Sequence, residues 1–462
     1  MLELDPDMHT DPERRWDIST MTVKEALASW KGKVVKAAME EEMRSLLANG
    51  TWELVPRPCG VNVMKNWWVL TTKYNTDDTV AREKARLIVK GFTRIYGADY
   101  DETYSPVGSY ATLRIFLSIV AVSDLHVMQL DMKNAYLQSK LDRVLYMEQP
   151  AYFNDESAAV VFSTRQCTHW RRMEQESAAS DSLEMLKDLR ELLQNAFKLW
   201  EITSVHKYLG LEIVRDRSAR KLWLHQSAYV DKLRCRFVDE EQTSRCPKMP
   251  ISVDAYTELT FDDEEYQARE EEEYCQNVGS LQFAATTTRP DIVYACSKLG
   301  SGLMIRSDQH WSELDCCIDY MVNTRAFTLE FGGGPDTLRL VGYADSDDAG
   351  DRQTRSSTSG YVFGLGGAAV SSASHRIKCM TISSTESEYI AATEANKEAR
   401  RLRFILDYFW LLNAGVPTDI HVDNSSAIAV AEWLGLKGSL KHMERRYIWL
   451  QQMVKCKKLA LS

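Results

Sequence analysis

Apolar positions first recur at helical spacing in "VVKAAMEEEMRSLLA", residues 34–48, where Val35, Ala38, Met39, Met43, Leu46 and Leu47 fall on one stripe. The pattern then changes period. "TWELVP" and "WWVLTTKYN" are rich in β-branched and aromatic residues and predict strands; "DDTVAREKARLIVKGF" adds a turn and a second strand, which makes a hairpin. "YATLRIFLSIVAVSDL" predicts an apolar helix. The run Val127–Leu130 predicts a buried strand that delivers Asp131 to its end, with a helix starting at Asn134. Residues 154–180 have no clear period and predict no element. Residues 183–200 predict a helix, and "HKYLGLEIVRDRSARKLWLHQSAYVDKL" predicts strand, turn, strand and helix. The first 30 residues are polar and predict little order.

Downstream, an acidic run, "DDEEYQAREEEE" at 262–273, marks a boundary, and residues 275–330 predict helices. From Leu338 the texture changes again. "LRLVGYADSD", "SGYVFGLGGAAVSS" and "KCMTISS" predict three strands joined by Gly, Ser and Asp turns. A long helix over 385–412 follows, with Tyr389, Ala392, Ala395, Ala399, Leu402, Ile405 and Phe409 on one face and a Ser383/Glu386 capping box at its start. "TDIHVDN" predicts a strand, "SSAIAVAEWL" a helix and "HMERRYIWLQQMV" a last helix. The order β-β-β-α-β-α describes a mixed sheet with helices packed on it.

A chain of 462 residues exceeds one ordinary core, so two or three domains are expected. Its 44% hydrophobic and 26% charged residues suit a soluble globular protein. No apolar run is long enough to span a bilayer and no signal peptide opens the chain. Ten scattered cysteines without a CxxC pair read as reduced thiols in an intracellular protein. The net charge of −10 argues mildly against nucleic-acid binding, yet Lys84–Lys90, Lys397–Arg403 and Lys437–Arg446 are locally basic.

Four acids carry candidate chemistry. Asp131 ends a buried strand, where a carboxylate is costly unless it binds something, usually a cation. In the C-terminal unit Asp345 ends the first strand, Glu386 sits in the first turn of the long helix and Asp423 ends the fourth strand. Parallel pairing of those strands would bring both aspartates out at one sheet edge, and a helix N-terminus packed over it would add Glu386. Three converging acids repel unless divalent cations bind, and two Mg²⁺ ions roughly 4 Å apart cleave phosphodiesters. Taken singly, the three read as a turn residue, a capping acid and an Asx turn. Asp347, Asp348, Asp351 and Glu388 read as solvated bystanders.

At these residues the chain resembles the pol region of Ty1/copia-type retrotransposons. "GYADSDDAGDRQTRSSTSGYVFGLGGAAVSS", "ISSTESEYIAATEA", "HVDNSSAIAVA" and "KHMERRYIWLQQMV" resemble that family's RNase H motifs in order. "VGSLQFAATTTRPDIVYA" is similar to its connecting segment, and "TWELVPRP", "KARLIVKGFTRIYGADYDETYSPV", "LDMKNAYLQSKLDRVLYMEQPAYF", "KYLGLEI" and "LHQSAYVDKL" to its reverse transcriptase. The resemblance implies that Asp131 is the first metal-binding aspartate of the palm, that Tyr136 lies under the incoming sugar, and that Lys84 and Arg86 contact the triphosphate. The plain alternatives are a core aromatic and a basic strand face. It also implies that Asp345, Glu386 and Asp423 are the first three metal-binding acids of a two-ion Mg²⁺ site, with Mn²⁺ as the substitute. An RNA–DNA hybrid or template RNA/DNA is the implied partner, no membrane is, and the implied setting is cytoplasmic or nuclear.

The sequence departs from the family at several places. No Tyr-x-Asp-Asp occurs, so Asp131 has no visible partner acid. The chain stops at Ser462, before the family's helix with a fourth acid; Glu444 in "KHMERR" is a nearby acid whose plain reading is a solvated helix face. Asp348 stands where the family has Trp, and Ser371-Ser372 where it has Ser-Trp. The expected fold is an α+β reverse transcriptase remnant followed by an α/β RNase H-like mixed sheet. The expected layout is a polar segment (1–30), a reverse transcriptase-like domain deleted around 154–200 (31–240), an acidic and helical connection (241–330) and a C-terminally truncated RNase H-like domain (331–462). The expected activity is weak RNase H cleavage without polymerization. The alternative is a non-catalytic remnant that binds nucleic acid weakly or not at all.

Overall fold

The computed structural model describes residues 21–74, 80–90, 93, 95, 109–132, 140–153, 160–166, 175–196, 199–202, 205–237, 247–252, 268–303, 308–351, 354–409, 411, 416–432 and 445–462. The chain forms two compact units. Unit 1 comprises residues 1–107, 129–177 and 188–202; unit 2 comprises 108–128, 178–187 and 203–462. Residues on both sides of the boundaries expected at 240 and 330 therefore lie in unit 2.

Unit 1 opens with α1 (Val23–Ala28), which the polar composition of this stretch concealed. Its signal is a capping box: Glu25 N–H donates to Thr22 Oγ1 at 3.3 Å, and Thr22 N–H donates to Glu25 Oε2 at 2.8 Å. Helix α2 (Gly32–Ala48) buries Val35, Ala38, Met39, Met43 and Leu46. Leu47, expected on the same stripe, points away and is 57% exposed. Strands β1 (Trp52–Pro56) and β2 (Val63–Met64) precede the predicted hairpin of β3 (Asn66–Tyr74) and β4 (Val80–Val89), against which α2 packs. The alternation along β4 turns Glu83 and Ala85 inward and leaves Arg86 exposed.

Strand β5 (His126–Met132) carries Asp131 opposite Trp200 of β9 (Leu199–Ile202), antiparallel, in a three-stranded sheet of order β8-β5-β9, where β8 is Gln175–Ser180. After residues 133–139, which lie outside the described residues, the chain continues as strand β6 (Lys140–Met147). Strand β7 (Val160–Gln166) pairs with β1 and β6, so two strands occupy the stretch that showed no period. Helix α4 (Leu183–Ala196) lies where a helix was expected, and strand β9 closes that stretch.

Unit 2 begins with α3 (Tyr110–Val122), buried on most sides and packed on strands β12 (Lys221–His225), β13 (Leu329–Gly332) and β16 (Ala368–Arg376). Strands β10 (Lys207–Tyr208) and β11 (Leu211–Asp216) complete the sheet β10-β11-β12-β13. Helices α5 (Ser227–Phe237), α6 (Ala268–Thr287), α7 (Val293–Ser301) and α8 (Asp308–Asn323) share a second core around Tyr274, Leu281 and Leu299. The five-stranded sheet follows: β14 (Val341–Asp347), β15 (Thr358–Leu365) and β16 form an antiparallel meander. Helix α9 (Ser384–Tyr408) then leads to β17 (Thr418–Val422), which pairs parallel with β14. Helices α10 (Ser425–Glu432) and α11 (Arg445–Lys455) precede β18 (Leu459–Leu461), an unexpected short strand parallel to β17. The sheet order is β16-β15-β14-β17-β18. Gly342 is required near the start of β14, because a Cβ there would overlap the ring of Phe363, which is fully buried on the neighbouring strand.

Among the described residues no helix is long and apolar enough to cross a membrane. A buried ion pair braces unit 1. Lys31 Nζ donates to Glu83 Oε1 at 2.8 Å and Thr72 Oγ1 donates to Glu83 Oε2 at 2.7 Å, with both charged side chains buried. Lys31→Met leaves Glu83 as an uncompensated buried charge and should destabilise unit 1 by about 3–5 kcal/mol. Adding Glu83→Gln, which keeps an acceptor for Thr72, should recover much of that loss; urea unfolding of both variants measures it.

Candidate metal centre

Strand β14 alternates from buried Ala344 to exposed Asp345, and parallel pairing sets Ala344 beside Val422 of β17. Both strands therefore run out at one edge, where Asp345 and Asp423 emerge as neighbours. Helix α9 covers this edge. Its Ser383 N-cap side chain accepts from Glu386 N–H at 3.2 Å. The Glu386 carboxylate turns back and accepts from Ile382 N–H at 3.0 Å. Glu388, two residues on, is rotated about 200° around the helix and faces the sheet.

Carboxylate oxygens of Asp345, Glu388 and Asp423 all lie within 4.8 Å of one another. Glu386, the expected third member, is not among these three; its carboxylate is held at the helix start by the Ile382 amide. Ser346 N–H serves two of the acids, donating to Asp345 Oδ1 at 2.9 Å and to Glu388 Oε1 at 3.3 Å. Glu388 is buried, and its Oε2 is enclosed with no hydrogen-bond partner. Burial raises the pKa of Asp345 above the usual aspartate value; the Ser346 N–H opposes the rise, and Asp423 and Asp347 add to it. Burial likewise raises Glu388, opposed by Ser346 and reinforced by Asp345 and Asp423.

The surroundings are polar. Asp348, where an aromatic was expected by resemblance, accepts from Ser357 Oγ at 3.0 Å and Thr381 Oγ1 at 2.9 Å. Gly350 lets the following loop close over Asp347, whose carboxylate occupies the space a Cβ would take.

The upstream residues are placed less fully. The backbone of Asp131 lies in β5 of unit 1, and its side chain is outside the described residues. Tyr136 and Glu444 lie outside them altogether. Lys84 and Arg86 sit opposite Thr71 and Val69 in the hairpin, beside Glu42 of α2. Burial raises the Glu42 carboxyl, while the Leu87 main chain and these two cations pull it down. Glu388 is the residue that sequence reasoning passed over. The cap at Ser383 was the usable signal, since it commits Glu386 and leaves Glu388 for the sheet.

A family model described as "Reverse transcriptase (RNA-dependent DNA polymerase)" matches residues 49–165. The Retrovirus-related Pol polyprotein from transposon TNT 1-94 of Nicotiana tabacum is 32% identical across 94% of this chain and 36% of its own length. The chain is a relative of the retrotransposon Pol polyproteins. The corresponding polyprotein from transposon RE2 of Arabidopsis thaliana is 28% identical across 93% of this chain and 32% of its own length. The chain thus spans about a third of these curated relatives. A solved foamy viral protease-reverse transcriptase in complex with double-stranded DNA matches at 10% identity with a TM-score of 0.24, over 92% of this chain and 69% of that one.

The electrostatics predict a linked response to pH and cations. Asp345 and Glu388 hold protons in the folded state at pH values where the unfolded chain has released them. Stability without metal should therefore fall as pH rises through that window, and the penalty should persist above it. At pH 7, Glu388→Gln should melt a few degrees above wild type without divalent cations. Millimolar Mg²⁺ should raise the wild-type melting temperature more than that of the variant; calorimetry at pH 4–8, with and without Mg²⁺, measures both effects.

Proposed function

We propose that unit 2 carries an RNase H-like hydrolase site at Asp345, Glu388 and Asp423, which cuts the RNA strand of an RNA–DNA hybrid. The observation that supports it is the meeting of three carboxylates from β14, α9 and β17 at one edge of the sheet β16-β15-β14-β17-β18. The donor set fits hard divalent cations such as Mg²⁺ or Mn²⁺: it offers only carboxylate oxygens, and one of them, Glu388 Oε2, is enclosed and unpartnered. Bound there, a pair of such ions supplies activation of a water and stabilisation of the leaving oxygen. The chain's own part is positional. Two adjacent parallel strands hold the aspartates, a packed helix holds the glutamate, and Ser346 N–H fixes the orientation of two of the three before substrate arrives. Recognition of the hybrid rests on its shape and 2′-hydroxyls rather than on base sequence.

In the same reading, residues 31–240 descend from a reverse transcriptase that no longer polymerises. Asp131 lies on β5 between β8, "QESAAS", and β9, "LWEI", which carry one glutamate each, Glu176 and Glu201; no Tyr-x-Asp-Asp occurs in the chain. Without the acids of that motif, dNTP attack at Asp131 lacks its charge stabilisation. A second reading, a non-catalytic remnant, draws on that same gap and on the net charge of −10.

A labelled RNA–DNA hybrid with Mg²⁺ separates the two readings. Wild type should cleave the RNA strand and leave single-stranded RNA intact. Asp345→Asn and Glu388→Gln should each lose several kcal/mol of charge stabilisation, at least about a hundredfold in rate. Glu386→Gln should stay within a few-fold of wild type. Failure of wild type to cleave selects the second reading. Primer extension should give no product, and dNTP incorporation would overturn the polymerase statement.

A further inference from the structure

The edge that carries the three acids has a second half of opposite charge. Register runs from Asp347 of β14 to Thr358 of β15 and on to Arg376 of β16, so all three strands meet the same edge. Beyond Arg376 the chain leaves the sheet and bends at Lys378 and Cys379. Ile377 is buried, and its N–H donates to Ser357 O at 2.8 Å. This turns Arg376 and Lys378, on either side of it, outward, and both are exposed. Arg376 Nη2 donates to Ser356 Oγ at 2.6 Å, tying the end of β16 to the loop after β14. That loop exposes Arg355 in a left-handed conformation (φ 52°), fixed by its N–H donating to Asp351 O at 2.7 Å. The next exposed residues on the way to α9 are apolar, Met380 at 80% and Ile382 at 77%.

We propose that Arg376 and Lys378, assisted by Arg355, form a phosphate-gripping rim for a nucleic-acid strand whose neighbouring phosphodiester lies at the three acids, a proposal that rests on the hydrolase reading above. The charge arrangement fits such a strand. Acids concentrate on the β14–β17 side, where Asp347, Asp348 and Asp351 join the trio, and cations on the β16 side. Two strand spacings across and two residues along place Arg376 roughly 12 Å from Asp345. Phosphates of one strand are spaced by more than the axial rise of about 3.4 Å, so the rim meets the backbone within a few nucleotides of the trio. Met380 and Ile382 then offer apolar contact to sugars in a shallow groove.

The test measures hybrid binding with Ca²⁺ in place of Mg²⁺, against salt, for wild type and Arg376→Gln/Lys378→Gln. The control, Lys232→Gln/Arg234→Gln, removes two exposed cations from α5. The rim variant should bind about tenfold more weakly, and its slope of log K against log salt should be shallower by about 1.8, two contacts at about 0.9 each. The control should keep the wild-type slope, and all three proteins should melt together. Equal affinity and slope for wild type and rim variant would overturn the rim even if wild type cleaves the hybrid. An equal loss in the control would overturn it as well, because it would mark a general charge effect. Wild type that binds without cleaving, with the slope lowered in the rim variant alone, would keep the rim and remove the hydrolase reading. No binding by wild type would remove both.

Discussion

Parallel pairing of β14 with β17 is the constraint on which the C-terminal unit turns. Antiparallel neighbours would send Asp345 and Asp423 to opposite ends of the sheet; parallel ones release both at a single edge. Such pairing needs a long crossover, and here the meander strands β15 and β16 with helix α9 supply it. The helix lies close to the sheet because its inner face is built from Ala391, Ala392, Ala395 and Ala399, all buried, with Leu402 and Leu406 filling the gap further along. Close seating brings Glu388 within reach of the aspartates. The site is thus a by-product of small-residue packing in the helical turns that follow Glu388.

Much of this was legible in residue order. The aspartates follow apolar runs that predict strands, and the helix between them has a continuous apolar face with alanines at its middle. What misled was the pair Glu386 and Glu388. Both fall in the first two turns, both are buried, and sequence alone does not rank them. The expected capping box forms only in half, through the Ser383 side chain; the Glu386 carboxylate reaches past Ser383 to the Ile382 amide, which turns it away from the sheet and ranks the two. Strand β18 was missed because three residues, Leu459 to Leu461, are too few to establish a period.

The N-terminal half was legible for a different reason and failed differently. The hairpin β3–β4 announces itself through alternation, and Lys31 with Glu83 lies hidden because buried ion pairs leave no periodic trace. Strands β7 and β8 carry Ser, Thr, Gln and Glu in place of a regular apolar alternation, so their pairing to β1 and β6, and the place of β8 beside β5, comes from the sheet rather than from propensity. Helix α1 shows the converse: six residues with a complete cap fold where composition suggested none.

The shared amide of Ser346 has a consequence for how this region can change over generations. Its hydrogen bonds to Asp345 and Glu388 come from the main chain and would survive any exchange but proline, which has no N–H to give. The side chain is held as well: Ser346 Oγ donates to Ser387 Oγ at 3.0 Å and also acts on the Glu388 carboxylate. Because Ser387 is fully buried on α9, drift at position 346 is confined to side chains small enough to fit beneath that helix.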